Sequence, residues 1–305
     1  MTGMTAMATS DRLSITVESA SVSFGPQEVL RDINLTAHSG ARLGVVGQSG
    51  SGKSTLARLL VGLLNPHAGS VLVDGRPWRR VRHRDPLRRA VQLIQQDPYA
   101  QLTPHLSAHR AVSEAARICR RIGQKEASHL GYELLESVGL NPNLARRKPR
   151  HLSGGQCQRV TIARALASDA RILIADEPTS ALDVSVQAQI INLLLEVTAD
   201  RQRGLVLVSH DLPVVRHLTD EIVVLHEGRI IEAGTTEHVL ANPEHAYTRK
   251  LCSASGGVPI RPAENTVPID SIGIAPSLSL SPPADHAGTV TPTRSAADPR
   301  TERPR

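Results

Sequence analysis

The chain has 305 residues, 40% of them hydrophobic but only 2% aromatic, and carries a formal net charge of +6 with a pI near 9.7. A globular chain with an aliphatic core follows, as one substantial core or two modest ones. No apolar run reaches membrane-spanning length, and Cys119, Cys157 and Cys252 lack metal-ligand spacing and an even count, so they read as reduced thiols.

Residues 1–12 read as disordered. Leu13, Ile15, Val17, Val22, Phe24, Ile33 and Leu35 alternate, which predicts antiparallel strands over 13–38 that turn at Gly25-Pro26. Arg42-Leu43-Gly44-Val45-Val46 is a buried strand, and the apolar spacing at 56, 59, 60, 63 and 64 predicts a helix over Thr55 to Leu64. Ser70 to Val73 is a strand closed by Asp74-Gly75, and Ala90 to Ile94 another. From about 97 to 168 the pattern is helical, with helices over 107–121, 126–138 and 154–167. Strands at 171–175, 205–208 and 221–225 then alternate with helices at 184–198 and 212–218. Such alternation argues a parallel sheet with helices packed on it and the helical stretch as an inserted subdomain. Residues 256–305 hold nine of the twenty prolines, with many Ser, Thr and Ala. A segment of that composition cannot bury enough surface to offset its ordering entropy, so a disordered tail is expected.

Between the buried strand and its helix lies Gly47-Gln48-Ser49-Gly50-Ser51-Gly52-Lys53-Ser54. Strand, glycine-rich turn and helix form the context of a P-loop. Glycines let the backbone close tightly round an anion, and the helix N-terminus presents N–H groups with about half a positive charge. Gly47, Ser49, Gly50, Ser51, Gly52, Lys53, Ser54 and Thr55 are the candidate nucleotide-binding residues, Lys53 for the outer phosphates and the Ser54 hydroxyl for Mg²⁺. The strand Ile172-Leu173-Ile174-Ala175 delivers a second element, Asp176 and Glu177. Asp176 suits Mg²⁺, directly or through water, and Glu177 is placed to polarise an attacking water.

Leu152-Ser153-Gly154-Gly155-Gln156, followed by Gln158-Arg159-Val160, resembles the signature of ATP-binding-cassette ATPases. Phe24, Gln96, Ser180-Ala181-Leu182-Asp183 and His210 fall in the order of that family's other motifs, and the resemblance covers about 13–253. It implies a P-loop α/β fold with a mixed, largely parallel core sheet, an N-terminal antiparallel β-subdomain and an inserted helical subdomain, the ATPase domain occupying 13–255. Phe24 would stack on adenine, Gln96 would reach the metal or the lytic water, and His210 would contact the γ-phosphate. Ser153, Gly154, Gly155 and Gln156 would close on the ATP of a second subunit, with Glu177, His210 and Gln96 as the catalytic set and Ser54, Gln96 and Asp176 round the metal.

A narrower resemblance, to the ATPases of oligopeptide, dipeptide and nickel importers, rests on Gln96-Asp97-Pro98-Tyr99-Ala100, on 177–187 and on 242–251. Ala246, Gln101 and Cys157 stand where that group usually has proline, serine and arginine. The implied partners are two membrane permeases, an external solute-binding protein and a second ATPase as a heterodimer, and the implied place is the cytoplasmic face of the membrane, with no transmembrane segment in the chain itself. The solute is chosen by the partners. The basic residues are scattered and few aromatics could stack on bases, which argues against nucleic acid. A non-transport cassette acting on ribosomes or nucleic acid is the alternative, disfavoured by a single cassette without a long coiled coil.

Overall fold

β1 (Ser14–Phe24) and β2 (Gln27–His38) form a hairpin in which Val17 faces Leu35 and Phe24 faces Gln27. The computed structural model describes residues 12–82 and 84–254, so the readings of 1–11 and of the tail from 256 lie outside the described residues. Ile15, Val17, Ala20 and Val22 of β1 are buried, and the pairing shifts register at the exposed pair Glu18 and Ser19, where Ser19 takes φ +43°. β3 (Arg42–Val46) follows, then α1 (Lys53–Leu60). The helix is shorter than the spacing suggested. Gly62 at φ +70° ends it, Gly62 N–H bonding to Leu59 O and Leu63 N–H to Arg58 O, and Leu63 is 63% exposed. A left-handed glycine beyond the last turn is the ordinary helix stop, and it outweighs the apolar spacing.

β4 (Ala68–Val73) and β5 (Arg76–Pro77) complete an antiparallel sheet of order β2-β1-β4-β5. α2 (Pro86–Ala90) leads into β6 (Val91–Ile94). Every element between β6 and the next strand is helical: α3 (Pro98–Gln101), α4 (Ala108–Arg120), α5 (Gln124–Ser137), α6 (Pro142–Ala145) and α7 (Gly154–Ala167). The rest comprises β7 (Ile172–Asp176), α8 (Val184–Thr198), β8 (Gly204–Ser209), α9 (Leu212–Leu218), β9 (Glu221–His226), β10 (Arg229–Thr235), α10 (Thr236–Ala241) and α11 (Ala246–Ala254).

The second sheet has the order β10-β9-β3-β8-β7-β6, parallel except for the antiparallel edge strand β10. Its inner strands are buried on both faces, as parallel strands must be when covered on each side. Alternate residues of β7 enter different cores: Ile172 and Ile174 pack with Leu56, Leu59 and Leu60 of α1 and the antiparallel sheet, whereas Leu173 and Ala175 face Val160, Ile190 and Val215 of the helical layer. The same division holds in β8 for Val206 and Val208 against Leu205 and Leu207. Because β3 lies beside β8 and β8 beside β7, with Val46 opposite Ser209 and Val208 opposite Asp176, their carboxyl ends open at one edge of the sheet. Ligands of open α/β sheets bind at such edges.

Candidate functional site

Three chain segments leave that edge: 47–52 after β3, Glu177–Asp183 after β7 and His210–Asp211 after β8. The first is a tight cradle. A Cβ on Gly47 would lie 2.2 Å from Leu225 O, and Gly52 holds φ +104° with Leu30 Cδ2 only 2.8 Å from where its Cβ would be. Gly228 N–H bonds to Ser51 O and Arg31 N–H to Gly228 O, so β2 and the β9–β10 turn brace the loop from outside. α1 begins at Gly52 with no side-chain cap, which leaves its first N–H groups for a ligand.

Lys53 is buried, and its Nζ donates to Gly47 O and Gln48 O, both at 2.8 Å. Burial lowers its pKa, opposed by the nearby charges of Glu177 and Asp176. Ser54 Oγ donates to Asp176 Oδ1 at 3.1 Å. Burial raises the pKa of Asp176, against the Ser54 hydrogen bond. A hydroxyl and a carboxylate beside the cradle are oxygen donors, the kind a hard divalent cation takes along with phosphate oxygens and water. Among the described residues no cluster of three or more His, Cys, Asp or Glu side chains could hold a metal ion.

Glu177 sits in the left-handed region, φ +47°, immediately after β7. For a non-glycine residue this conformation costs on the order of 1–3 kcal/mol and persists only when its surroundings fix it. Here they do: Glu177 N–H bonds to Val208 O, its carbonyl accepts from Ser180 N–H and Oγ, and its Oε1 lies 3.1 Å from His210 Nδ1. Asp211 caps α9 and receives Gln187 Nε2 of α8 at 3.4 Å, tying the His210 turn to the helix after Asp183.

The structure thus brings together Gly47, Ser49, Gly50, Ser51, Gly52, Lys53, Ser54 and Thr55 with Asp176, Glu177 and His210 at one sheet edge. Gln96 is exposed just beyond β6 and makes no hydrogen bond to Ser54, Asp176 or Glu177. Phe24 is the last residue of β1 rather than part of the turn, because it still pairs with Gln27, and it stands 50% exposed on the strand that pairs with β2. Ser153, Gly154, Gly155 and Gln156 start α7 and share no hydrogen bond with residues 47–54. Ser153 Oγ accepts from Gln156 N–H while Gln156 Oε1 accepts from Ser153 N–H. Gly155 is demanded by packing, since a Cβ there would meet Val186 Cγ1 at 2.2 Å.

Two of the residues flagged as departures have local explanations. Gln101 accepts from Gln95 N–H and donates to Leu93 O, holding the segment that carries Gln96. Ala246 is the first residue of α11, where proline and alanine are both accommodated. Among the polar contacts the sequence reading did not reach, Gln48 N–H donates to Tyr247 Oη at 2.8 Å, across 199 residues. The only sequence signal was the 242–251 segment itself.

A family profile described as ABC transporter matches residues 30–180. The oligopeptide transport ATP-binding protein OppF of Lactococcus lactis is 40% identical over 236 residues, 76% of this chain and 74% of that protein. A probable peptide ABC transporter ATP-binding protein, y4tS of Sinorhizobium fredii, is 42% identical over 228 residues, 74% of this chain and 65% of the relative. Among solved structures, the dimeric post-hydrolysis state of the ATP-binding cassette MJ0796, bound to ADP and Pi, superposes with a TM-score of 0.66 at 29% identity, covering 73% of this chain and 98% of that one.

Proposed function

The chain belongs to the ATP-binding-cassette transporter family, and from that premise we propose that it is the ATP-binding and ATP-hydrolysing subunit of an importer for peptides or a related small solute. The observation that carries the reading is the convergence of Lys53, Ser54, Asp176, Glu177 and His210 on one sheet edge, in a chain about 40% identical to oligopeptide transport ATP-binding proteins.

The chemistry follows from what each group can do. The 47–54 cradle and the start of α1 take the phosphates through backbone N–H groups. Lys53 exchanges its two carbonyl partners for phosphate oxygens, which relieves a buried ammonium by placing anions beside it. Ser54 and Asp176 are the residues that would hold Mg²⁺, which neutralises charge on the phosphate oxygens when bound. Glu177 accepts the proton of the attacking water. His210 holds Oε1 of that carboxylate and stands where it can turn toward the terminal phosphate. The Phe24 ring offers an exposed face to adenine without reading its edges. Gln96 supplies an uncharged amide once its segment moves inward. The 153–156 turn serves the ATP of a second subunit.

On this reading the ATPase domain spans 13–255, with 97–168 as its helical subdomain. The working assembly has two permeases, an external solute-binding protein and a second, different ATPase, placed at the cytoplasmic face of the membrane. No helix among the described residues is long and apolar enough to cross a membrane, so the chain would be held there by the permeases. The test is reconstitution with the permeases in vesicles, measuring ATP turnover and uptake of labelled peptide with and without the second ATPase. Peptide-stimulated turnover that needs both ATPases is expected. Full-rate transport with this chain alone overturns the heterodimer, and turnover indifferent to permease and peptide overturns the importer reading.

A further inference from the structure

We propose that Tyr247 is a positioning residue of the nucleotide site: its hydroxyl, brought by α11, holds the Gln48 N–H and thereby sets the P-loop for phosphate. The inference rests on the nucleotide reading above and concerns the same site.

The peptide group that joins Gly47 to Gln48 is held at both ends. Its carbonyl, Gly47 O, accepts from Lys53 Nζ at 2.8 Å, and its amide, Gln48 N–H, donates to Tyr247 Oη at 2.8 Å. On the proposed reading Lys53 turns from that carbonyl toward phosphate. Tyr247 then remains as the side-chain anchor on the plane, and it fixes the direction in which the loop enters the turn. Packing restrains the loop at Gly47, against Leu225 O, and at Gly52, against Leu30 Cδ2; the Gln48 amide between them is held by Tyr247.

Tyr247 is itself fixed. Its ring stacks on His226, with centroids 3.8 Å apart and planes 26° from parallel, and His226 ends the strand that supplies Leu225. The turn before α11 is clamped by Glu232 of β10, whose carboxylate oxygens accept from Glu244 N–H at 2.8 Å and His245 N–H at 3.1 Å. Tyr247 N–H in turn donates to His245 Nδ1 at 3.1 Å. Tyr247, Leu251 and Cys252 pack α11 against the core. A phenol set by a ring stack and a clamped turn loses little freedom when it bonds the glycine-rich loop, and this is how a supporting group preorganises a site.

The experiment uses the full chain with Tyr247→Phe, which keeps the ring and its stack and removes one oxygen. Two readouts are taken: amide exchange of the 47–52 segment in nucleotide-free protein, and the dissociation constant for MgATP. One neutral hydrogen bond predicts faster exchange and weaker binding, each by about three- to tenfold. In the assembled transporter KM for ATP rises by a similar factor while kcat holds. His226→Ala, which leaves the hydroxyl but removes its support, moves both readouts in the same direction by less. Unchanged exchange or unchanged affinity in Tyr247→Phe overturns the proposal, as does exchange that quickens equally in β7, which would mark general loosening. Failure of the unsubstituted chain to bind MgATP would instead overturn the nucleotide reading.

Discussion

Two helices, α1 and α7, begin on glycine-rich turns, and they begin differently. α1 starts at Gly52 in the left-handed region, with no side chain satisfying its first N–H groups. Lys53, Ser54 and Asp176 surround that opening, and Glu177 follows Asp176. α7 starts with a capping box, in which Ser153 and Gln156 consume two donors between them, and has no charged side chain in its first turn. Only the N–H groups of Gly154 and Gly155 stay free of a side-chain partner. A helix N-terminus is a weak anion site by itself. The first turn of α1 is joined by a cation and carboxylates from its own chain. That of α7 has a shape and two donors but no charged group of its own beside it, and on the proposed reading it serves a phosphate already held by a second subunit.

The strongest way to break the comparison is Lys53→Ala. α1 would then resemble α7, a helix start without a cation, and ATP turnover with the permeases present should fall to background, a loss of about 10³-fold or more. Retention of a third of the activity would sink the assignment of α1 as the self-sufficient site. Glu177→Gln is next. The amide still bonds His210, and Lys53, Ser54 and Asp176 stay in place, so MgATP should bind as before while hydrolysis drops about 10²–10⁴-fold. Equilibrium binding beside single-turnover hydrolysis separates the two effects, and the variant mixed with the second ATPase should accumulate as an ATP-bound dimer in gel filtration. Lost binding would show that the strained backbone at Glu177 shapes the cradle instead.

Much of this contrast is legible in the residues. The continuous apolar strands β3, β7 and β8 declare themselves because both faces are covered, and α7 is read to its ends because Ser153 caps it and no internal breaker intervenes. α1 is overextended because Leu63 and Leu64 keep the helical period beyond Gly62, and a period cannot show a left-handed stop. β10 escapes altogether. Arg229–Thr235 is a half-exposed edge strand whose apolar residues do not alternate, so neither period applies. In the site, residue types are readable but relations are not. The left-handed Glu177, its bond to His210 and the reach of Tyr247 to Gln48 arise from tertiary packing between distant segments.

A smaller effect sharpens the α7 side. Ser153→Ala removes the side-chain acceptor for Gln156 N–H and opens the capping box. Loss of such a cap costs about 1 kcal/mol, visible as a lowered midpoint in urea with an unchanged slope. Hydrolysis in the assembled dimer should fall far less than in Glu177→Gln, because the Gly154 and Gly155 donors remain. A loss of turnover as large as that of Glu177→Gln would mean that the hydroxyl itself meets the phosphate and that capping is its lesser role.

The smallest effect is expected at Cys157, one turn into α7. A thiol near a helix N-terminus is ordinarily acidified, because the helix field favours the thiolate. Here the side chain is fully buried and Sγ donates to Pro149 O at 3.6 Å. Burial pushes the thiol up to about 11, with the Tyr99 hydroxyl pulling it down and Asp97 adding to the rise. At pH 8 a thiol at about 11 is ionised in roughly one chain per thousand, against about a tenth for one at the ordinary 9.0. Alkylation followed by peptide mapping should therefore find Cys157 at least about 100-fold slower than an ordinary free thiol. Its rate should climb about tenfold per pH unit toward 11, while the partly exposed Cys119 reacts first. Fast labelling at pH 8 would require the Ser153 turn to open in solution and carry Cys157 outward, and the α7 terminus would then be as open as that of α1.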